Sequence, residues 1–253
     1  MANSLRPSAW PQNLAMPTFA VIESNRTKAE LLCHHLASQR GFEVVAMECV
    51  AVSAVIAIER CKPDVILASL SMSGTCAMEM IARFRSLAPS ARIVGLISQC
   101  SEYLVHSLAK SEYHGLYCDA DEGLAGLIQA IENVMQGRRV VSASIVKYQL
   151  GLRSAPAAFP KLLSKRELQA LVCIAHAMTD EEIGQRMAIS AGTAQAHRKK
   201  IMYKLSIHST PKLMGYCMEK GFHTAVLPLP TLRNIGNADT VATWKGRPIG
   251  TAC

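Results

Sequence analysis

Between residues 18 and 136, short apolar runs alternate with stretches of helical spacing. Phe19–Ile22, Val44–Met47, Val65–Ala68, Ile93–Ile97 and Gly115–Cys118 are compact and mostly apolar, and they predict strands. Arg26–Ser38, Ala51–Arg60, Cys76–Leu87, Glu102–Lys110 and Glu122–Met135 repeat apolar positions three and four residues apart, and they predict helices. Parallel strands need a long crossover between them. Five such strand–helix units therefore predict a doubly wound, five-stranded parallel sheet with helices on both faces. In a sheet of that kind the functional site lies at the carboxyl ends of the strands.

From residue 161 to 222 the pattern changes to helices alone. Ser164-x-x-Glu167 and Thr179-x-x-Glu182 are capping boxes that open the first two helices. Ser190 caps a third, whose residues Ala194, His197, Ile201 and Leu205 fall on one stripe at about 100° per residue. Thr210 and Pro211 open a fourth helix, which Gly221 stops. A short helix, a tight turn at Ala188–Ile189 and a basic helix make the helix-turn-helix plan. On the third helix Gln195, Ala196, Lys199 and Tyr203 face away from the apolar stripe, with Arg198, Lys200 and Lys204 on its flanks. Gln pairs bidentately with adenine, Lys reaches guanine, and an Ala methyl touches a thymine methyl. The flanking cations suit phosphates. His197, on the inner stripe, is expected to be a hydrogen-bonded core residue rather than a reader of bases.

Charge distribution strengthens this reading. The net charge is +8, yet residues 1–150 carry thirteen basic and thirteen acidic side chains. All the excess lies in residues 151–253, with fourteen basic and six acidic side chains. A basic surface confined to the second unit points to double-stranded DNA as its partner. The nine cysteines form no CxxC pair and are odd in number, which predicts reduced thiols rather than a disulfide framework or a metal site. No apolar run is long enough for a membrane span, and no cofactor is expected. Residues 1–17 read as a flexible leader, 137–160 as an extension and linker ending in Pro and Ala, and 223–253 as a loosely ordered tail.

The first unit resembles a response-regulator receiver domain, a CheY-like fold, over almost its whole length. The phrases Gly41–Ala46, Lys62–Gly74 and Gly115–Ala120 carry the likeness. The resemblance implies carboxylates after the first strand that hold Mg²⁺, a phosphoacceptor Asp after the third, and a Lys after the fifth. Here the acidic pair is Glu23 and Ser24, the acceptor position is Ser69, and the Lys position is Asp119. The hydroxyl of the fourth strand falls on Ile97, with Ser98 beside it. Such a set predicts a pseudo-receiver that does not use Asp phosphorylation.

The second unit resembles the LuxR-type (GerE) DNA-binding domains. The likeness runs through Leu163-Ser164, Arg166-Glu167, Asp180–Ile183, Ile189-Ser190, Gly192-Thr193, His197, Ile201 and Lys204-Leu205. It implies that Gln195, Ala196 and Lys199 face base edges. It also implies that Thr179, Thr193, Arg198, Lys200 and Lys204 lie near the DNA backbone, and that the fourth helix is a dimer contact. Ala177 stands where Gly is usual, Gln195 where Lys is common, and Ala194 where Val is common.

Together these features predict a sequence-specific, DNA-binding transcriptional regulator. It is expected to be a bacterial, cytoplasmic homodimer with no catalytic residues and no membrane association, its input a protein or small ligand at the receiver-like domain. The alternative is an interaction adaptor whose basic domain binds DNA weakly or without sequence preference. An enzyme is disfavoured, because no Gly-rich phosphate loop or Cys–His spacing supports one.

Overall fold

The structure is a computed structural model, and it describes residues 16–39, 41–71, 76–109, 111–120 and 123–225. The first unit runs β1 (Thr18–Ile22), α1 (Arg26–Ser38), β2 (Glu43–Glu48), α2 (Ala51–Cys61), β3 (Val65–Ser69), α3 (Ala77–Leu87), β4 (Arg92–Ile97), α4 (Glu102–Leu108), β5 (Gly115–Cys118) and α5 (Leu124–Met135). It continues through β6 (Val140–Val141) and α6 (Ala143–Ser154). All strands are parallel, in the order β2-β1-β3-β4-β5-β6.

The two-residue period of the strands sorts the core into two layers. Ala20, Ile22, Ile66, Ala68, Ile93, Ile97, Leu116 and Cys118 lie with Ala54, Ile58, Ile81, Phe84, Val105 and Leu108 of α2, α3 and α4. Their neighbours Phe19, Val21, Val65, Leu67, Val94, Leu96 and Tyr117 lie with Leu32 and Leu36 of α1 and Leu127, Ile131 and Val134 of α5. Strands buried on both faces read as continuous apolar runs, which is how they look in this sequence.

The expected five strands are six. Val140 donates its N–H to the His114 carbonyl at 3.1 Å, and Ser142 donates to Leu116 at 3.0 Å, so two valines close the edge that β5 would otherwise expose. The region expected as extension and linker, 137–160, is also largely helical. α6 inserts Ile145 into the receiver-like core, and a short α7 (Phe159–Leu162) follows. At the other end, Pro17 was expected in the leader but is buried, with its carbonyl accepting the Glu43 N–H at 3.1 Å. Residues 1–15 of the leader, and Gly74, Lys110 and Glu122, lie outside the described residues, as does the tail beyond Ala225.

The second unit comprises α8 (Lys165–Ala175), α9 (Asp180–Met187), α10 (Ala191–Lys204), α11 (Thr210–Lys220) and a 3-10 turn at Phe222–Thr224. Phe159, Leu171, Ile174, Ile183, Met187, Ala194, Ile201, Leu213, Cys217 and Phe222 make its core. The tail's first residues belong here too, since Ala225 is buried and its carbonyl meets His176 Nε2 at 2.7 Å.

The two units touch. Tyr103 of α4 packs its ring on Phe222 at 4.8 Å between centroids, and His106 meets Phe159 edge-on at 5.4 Å. Glu102 accepts from Lys220 at 2.7 Å across the same seam.

Candidate nucleic-acid interface and receiver cleft

The helix-turn-helix is held close by small residues and caps. Thr179 Oγ1 accepts the Glu182 N–H at 3.2 Å while Glu182 Oε2 accepts the Thr179 N–H at 2.7 Å. A Cβ at Gly184 would stand 2.9 Å from the Ile189 carbonyl, so the turn crosses α9 at a point only glycine permits. Ala188 leaves α9 in the left-handed conformation, φ 54°, and Ser190 Oγ then caps α10 through the Thr193 N–H at 3.1 Å.

α10 buries Ala194 and Ile201 and half-buries His197 and Leu205. His197 departs from expectation in one respect. Its Nδ1 is buried without a hydrogen-bond partner among the described residues, because the stripe around it is apolar. Gln195, Ala196, Lys199 and Lys200 are exposed, and Tyr203 beyond them is 86% exposed. Thr193 is exposed at the helix start, its hydroxyl 2.9 Å from Ser190 Oγ.

The flanking cations fall into two kinds. Arg198 donates to Asp180 Oδ1 at 2.8 Å and to the Met178 carbonyl at 3.2 Å, tying α10 to the start of α9. Lys204 donates to Glu167 Oε2 at 2.8 Å. Glu167 also accepts the Ser164 N–H at 2.7 Å. Burial alone would raise the Glu167 pKa, but the hydrogen bonds from Lys204 and Ser164 outweigh it and hold the carboxyl at about 2. Lys199 and Lys200 have no carboxylate partner among the described residues, and they stand beside Gln195 and Ala196. The structure thus brings together a polar, cationic front and separates it from two cations with duties inside the domain.

At the carboxyl ends of the receiver strands, strand parity decides which side chains meet. Glu23, Ser69, Ser98 and Asp119 continue the alternation that faces α1 and α5, whereas Ile97 points into the opposite layer and is fully buried. The polar residue of that strand end is therefore Ser98, not Ile97, by the two-residue period of the strand. Ser98 Oγ donates to Asp119 Oδ2 at 3.1 Å. Ser24 is exposed, its hydroxyl donating to Glu23 Oε1 at 3.4 Å, and Ser69 is buried.

One member of this cleft was not legible in the sequence. Lys28, in the first turn of α1, reaches back over the helix start to Glu23 Oε2 at 2.9 Å, to Ser98 Oγ at 3.1 Å and to Asp119. Glu23 is 3% exposed, and its other oxygen accepts the Asn25 N–H at 3.0 Å. Burial lowers the Lys28 pKa, but the hydrogen bonds to Asp119 and Glu23 outweigh it, and the net shift is upward. A signal existed: helical side chains lean toward the N-terminus, so a Lys one turn into α1 overhangs the strand ends.

A parallel α/β module joined to a helix-turn-helix with an open cationic front defines a DNA-binding transcription regulator of the response-regulator type. The family described as bacterial regulatory proteins, luxR family, matches residues 161–217. Oxygen regulatory protein NreC of Staphylococcus aureus (strain JH9) is 31% identical over 192 residues, covering 72% of this chain and 88% of that protein. The chain belongs to the NarL/LuxR family of response regulators. In fold it resembles RcsB of Salmonella enterica serovar Typhimurium bound to promoter rprA, with a TM-score of 0.58, 16% identity, and coverage of 80% of this chain and 98% of that one. It also resembles a LuxR-family response regulator from Aurantimonas sp. SI85-9A1, with a TM-score of 0.51, 20% identity, and coverage of 56% of this chain and all of that one.

Proposed function

We propose that this protein binds specific DNA sequences through the front of α10 and that its receiver-like domain works without Asp phosphorylation. Gln195, Ala196 and Lys199 are assigned to base edges and Lys200 to phosphate, with Thr179 and Thr193 near the backbone. Arg198 and Lys204 are assigned first to positioning α10, through Asp180 and Glu167, and only their outer N–H groups to phosphate. The observation that carries the DNA assignment is the exposure of Gln195, Lys199 and Lys200 on one face that no carboxylate neutralises among the described residues. Homodimers are proposed for the DNA-bound state, since two linked modules gain effective concentration on paired half-sites. The solved RcsB assembly with two dimers on two parallel DNAs is a precedent of fold.

Phosphorylation independence is supported by the internal cation. Lys28 bridges Glu23 and Asp119, and position 69 is a serine, which offers no carboxylate to accept a phosphoryl group. Mg²⁺ wants several oxygen ligands, and here an ammonium already holds the oxygens it would need. The input is accordingly assigned to a binding partner or small ligand, and the site of action to the bacterial cytoplasm. The test is incubation of the full chain with acetyl phosphate and Mg²⁺, followed by intact-mass measurement and a gel shift. No carboxyl phosphate and an unchanged DNA affinity are expected; an acyl phosphate that alters affinity overturns the reading.

A further inference from the structure

The sulfurs of Cys100 and Cys118 lie 3.6 Å apart, at the same strand ends as the receiver cleft. Cys118 is the last residue of β5, buried, and fixed by its N–H to Ser142 Oγ at 2.9 Å and by its ladder partner Ile97. Cys100 is half-buried in the connection between β4 and α4. Cys118 is thus buried and held at its backbone, and Cys100 is the more exposed of the two.

The three residues after Cys100 all lie on the receiver's side of the seam with the second unit. Ser101 lies so close beneath Gly221 that a Cβ there would stand 2.3 Å from its Oγ. Glu102 pairs with Lys220 at 2.7 Å, and the Tyr103 ring packs tilted against Phe222 at 4.8 Å between centroids. Ser101 Oγ also caps α4 through the Leu104 N–H at 3.2 Å. Cys100 adjoins this clasp directly in the chain.

We propose that Cys100 and Cys118 form an oxidisable thiol pair whose disulfide loosens the clasp between α4 and the end of α11. The oxidant is a peroxide. The Cys100 thiolate attacks one peroxide oxygen, the O–O bond breaks, and a sulfenic acid and one water result. The Cys118 sulfur then attacks the sulfenic sulfur, loses its proton, and expels hydroxide that leaves as a second water. Two thiols give up two electrons and one peroxide is reduced to two waters. A disulfide needs the sulfurs at about 2 Å, so the pair must close by roughly 1.5 Å. Cys118 is anchored at its backbone, so Cys100 makes most of the movement, and Ser101, next in the chain, lies close against Gly221.

The test uses the full chain, reduced or treated with hydrogen peroxide, with thiols blocked in acid and peptides mapped without reductant. A Cys100–Cys118 linked peptide is expected in the treated wild type. In Cys118→Ser, a sulfenic acid at Cys100 is expected, trapped by a cyclic dione. Hydrogen exchange then reads the clasp. Amides of Ser101–Leu108 and Leu213–Ala225 are expected to exchange at least tenfold faster in the oxidised wild type, and unchanged in peroxide-treated Cys100→Ala. Recovery of both cysteines as blocked thiols overturns the proposal. So does a disulfide that leaves exchange at both segments as it was. Neither readout involves DNA, so the outcome is independent of the DNA-binding assignment.

Discussion

Lys28 bridges two carboxylates at the strand ends, its ammonium 2.9 Å from Glu23 Oε2 and bonded also to Asp119. The cation that compensates them comes from the first turn of α1. Removing one partner of a buried pair leaves the other uncompensated. Lys28→Met is therefore expected to destabilise the receiver-like domain by about 2 kcal/mol, less than a fully buried pair because the Lys28 side chain is 30% exposed. Glu23→Gln in the same chain is expected to restore most of the loss. Urea unfolding of the two variants checks both; equal loss in single and double variants would show that the charge was not the cause.

The Glu167–Lys204 pair makes a prediction about acid. Glu167 has a folded pKa of about 2 against its ordinary 4.5. A depressed carboxylate stabilises the fold above its unfolded pKa, and that stability is lost as pH falls from about 4.5 towards 2. The loss is at most about 3 kcal/mol. Glu167→Gln is expected to flatten the stability of the helical domain over this window. Thermal melts between pH 5 and pH 2.5 measure it, and an unchanged slope in the variant refutes the assignment.

Ala177 occupies the left-handed region, φ 57°, at the turn between α8 and α9. A non-glycine residue there costs about 1 kcal/mol. Ala177 is exposed and buries no methyl, so Ala177→Gly is expected to stabilise the domain by about 0.5 kcal/mol after the entropy of the freer unfolded chain is charged against it. Chemical unfolding resolves a change of that size; a loss of stability would mean that the methyl has a contact worth more than the strain.

Much of this architecture was legible as periodicity. Strands buried on both faces gave unbroken apolar runs, and the capping boxes at Ser164 and Thr179 marked helix starts that the structure places there. The exposed front of α10 followed from its 3.6-residue period. Two-residue elements leave no such trace, so the pattern does not show Val140–Val141 as a strand, and α6 has too mixed a pattern to announce itself. In the cleft, position along the chain points to Ile97, whereas the alternation of Val94 and Leu96 assigns Ser98 to the site's face. Lys204 and Arg198 show the harder limit. Their roles depend on partners 37 and 18 residues away, and no local pattern encodes that.

The front of α10 is tested most directly by selecting duplexes from a random pool and measuring binding to the selected site over a salt series. The wild type is expected to enrich one recurrent sequence. Gln195→Ala and Lys199→Ala are expected to lose about 1–3 kcal/mol of discrimination between that site and random DNA. Lys200→Ala is expected to weaken binding to both and to lower the salt slope by roughly 0.9. A pool that enriches no sequence, with all three variants binding as the wild type does, would contradict the assignment of this helix to DNA.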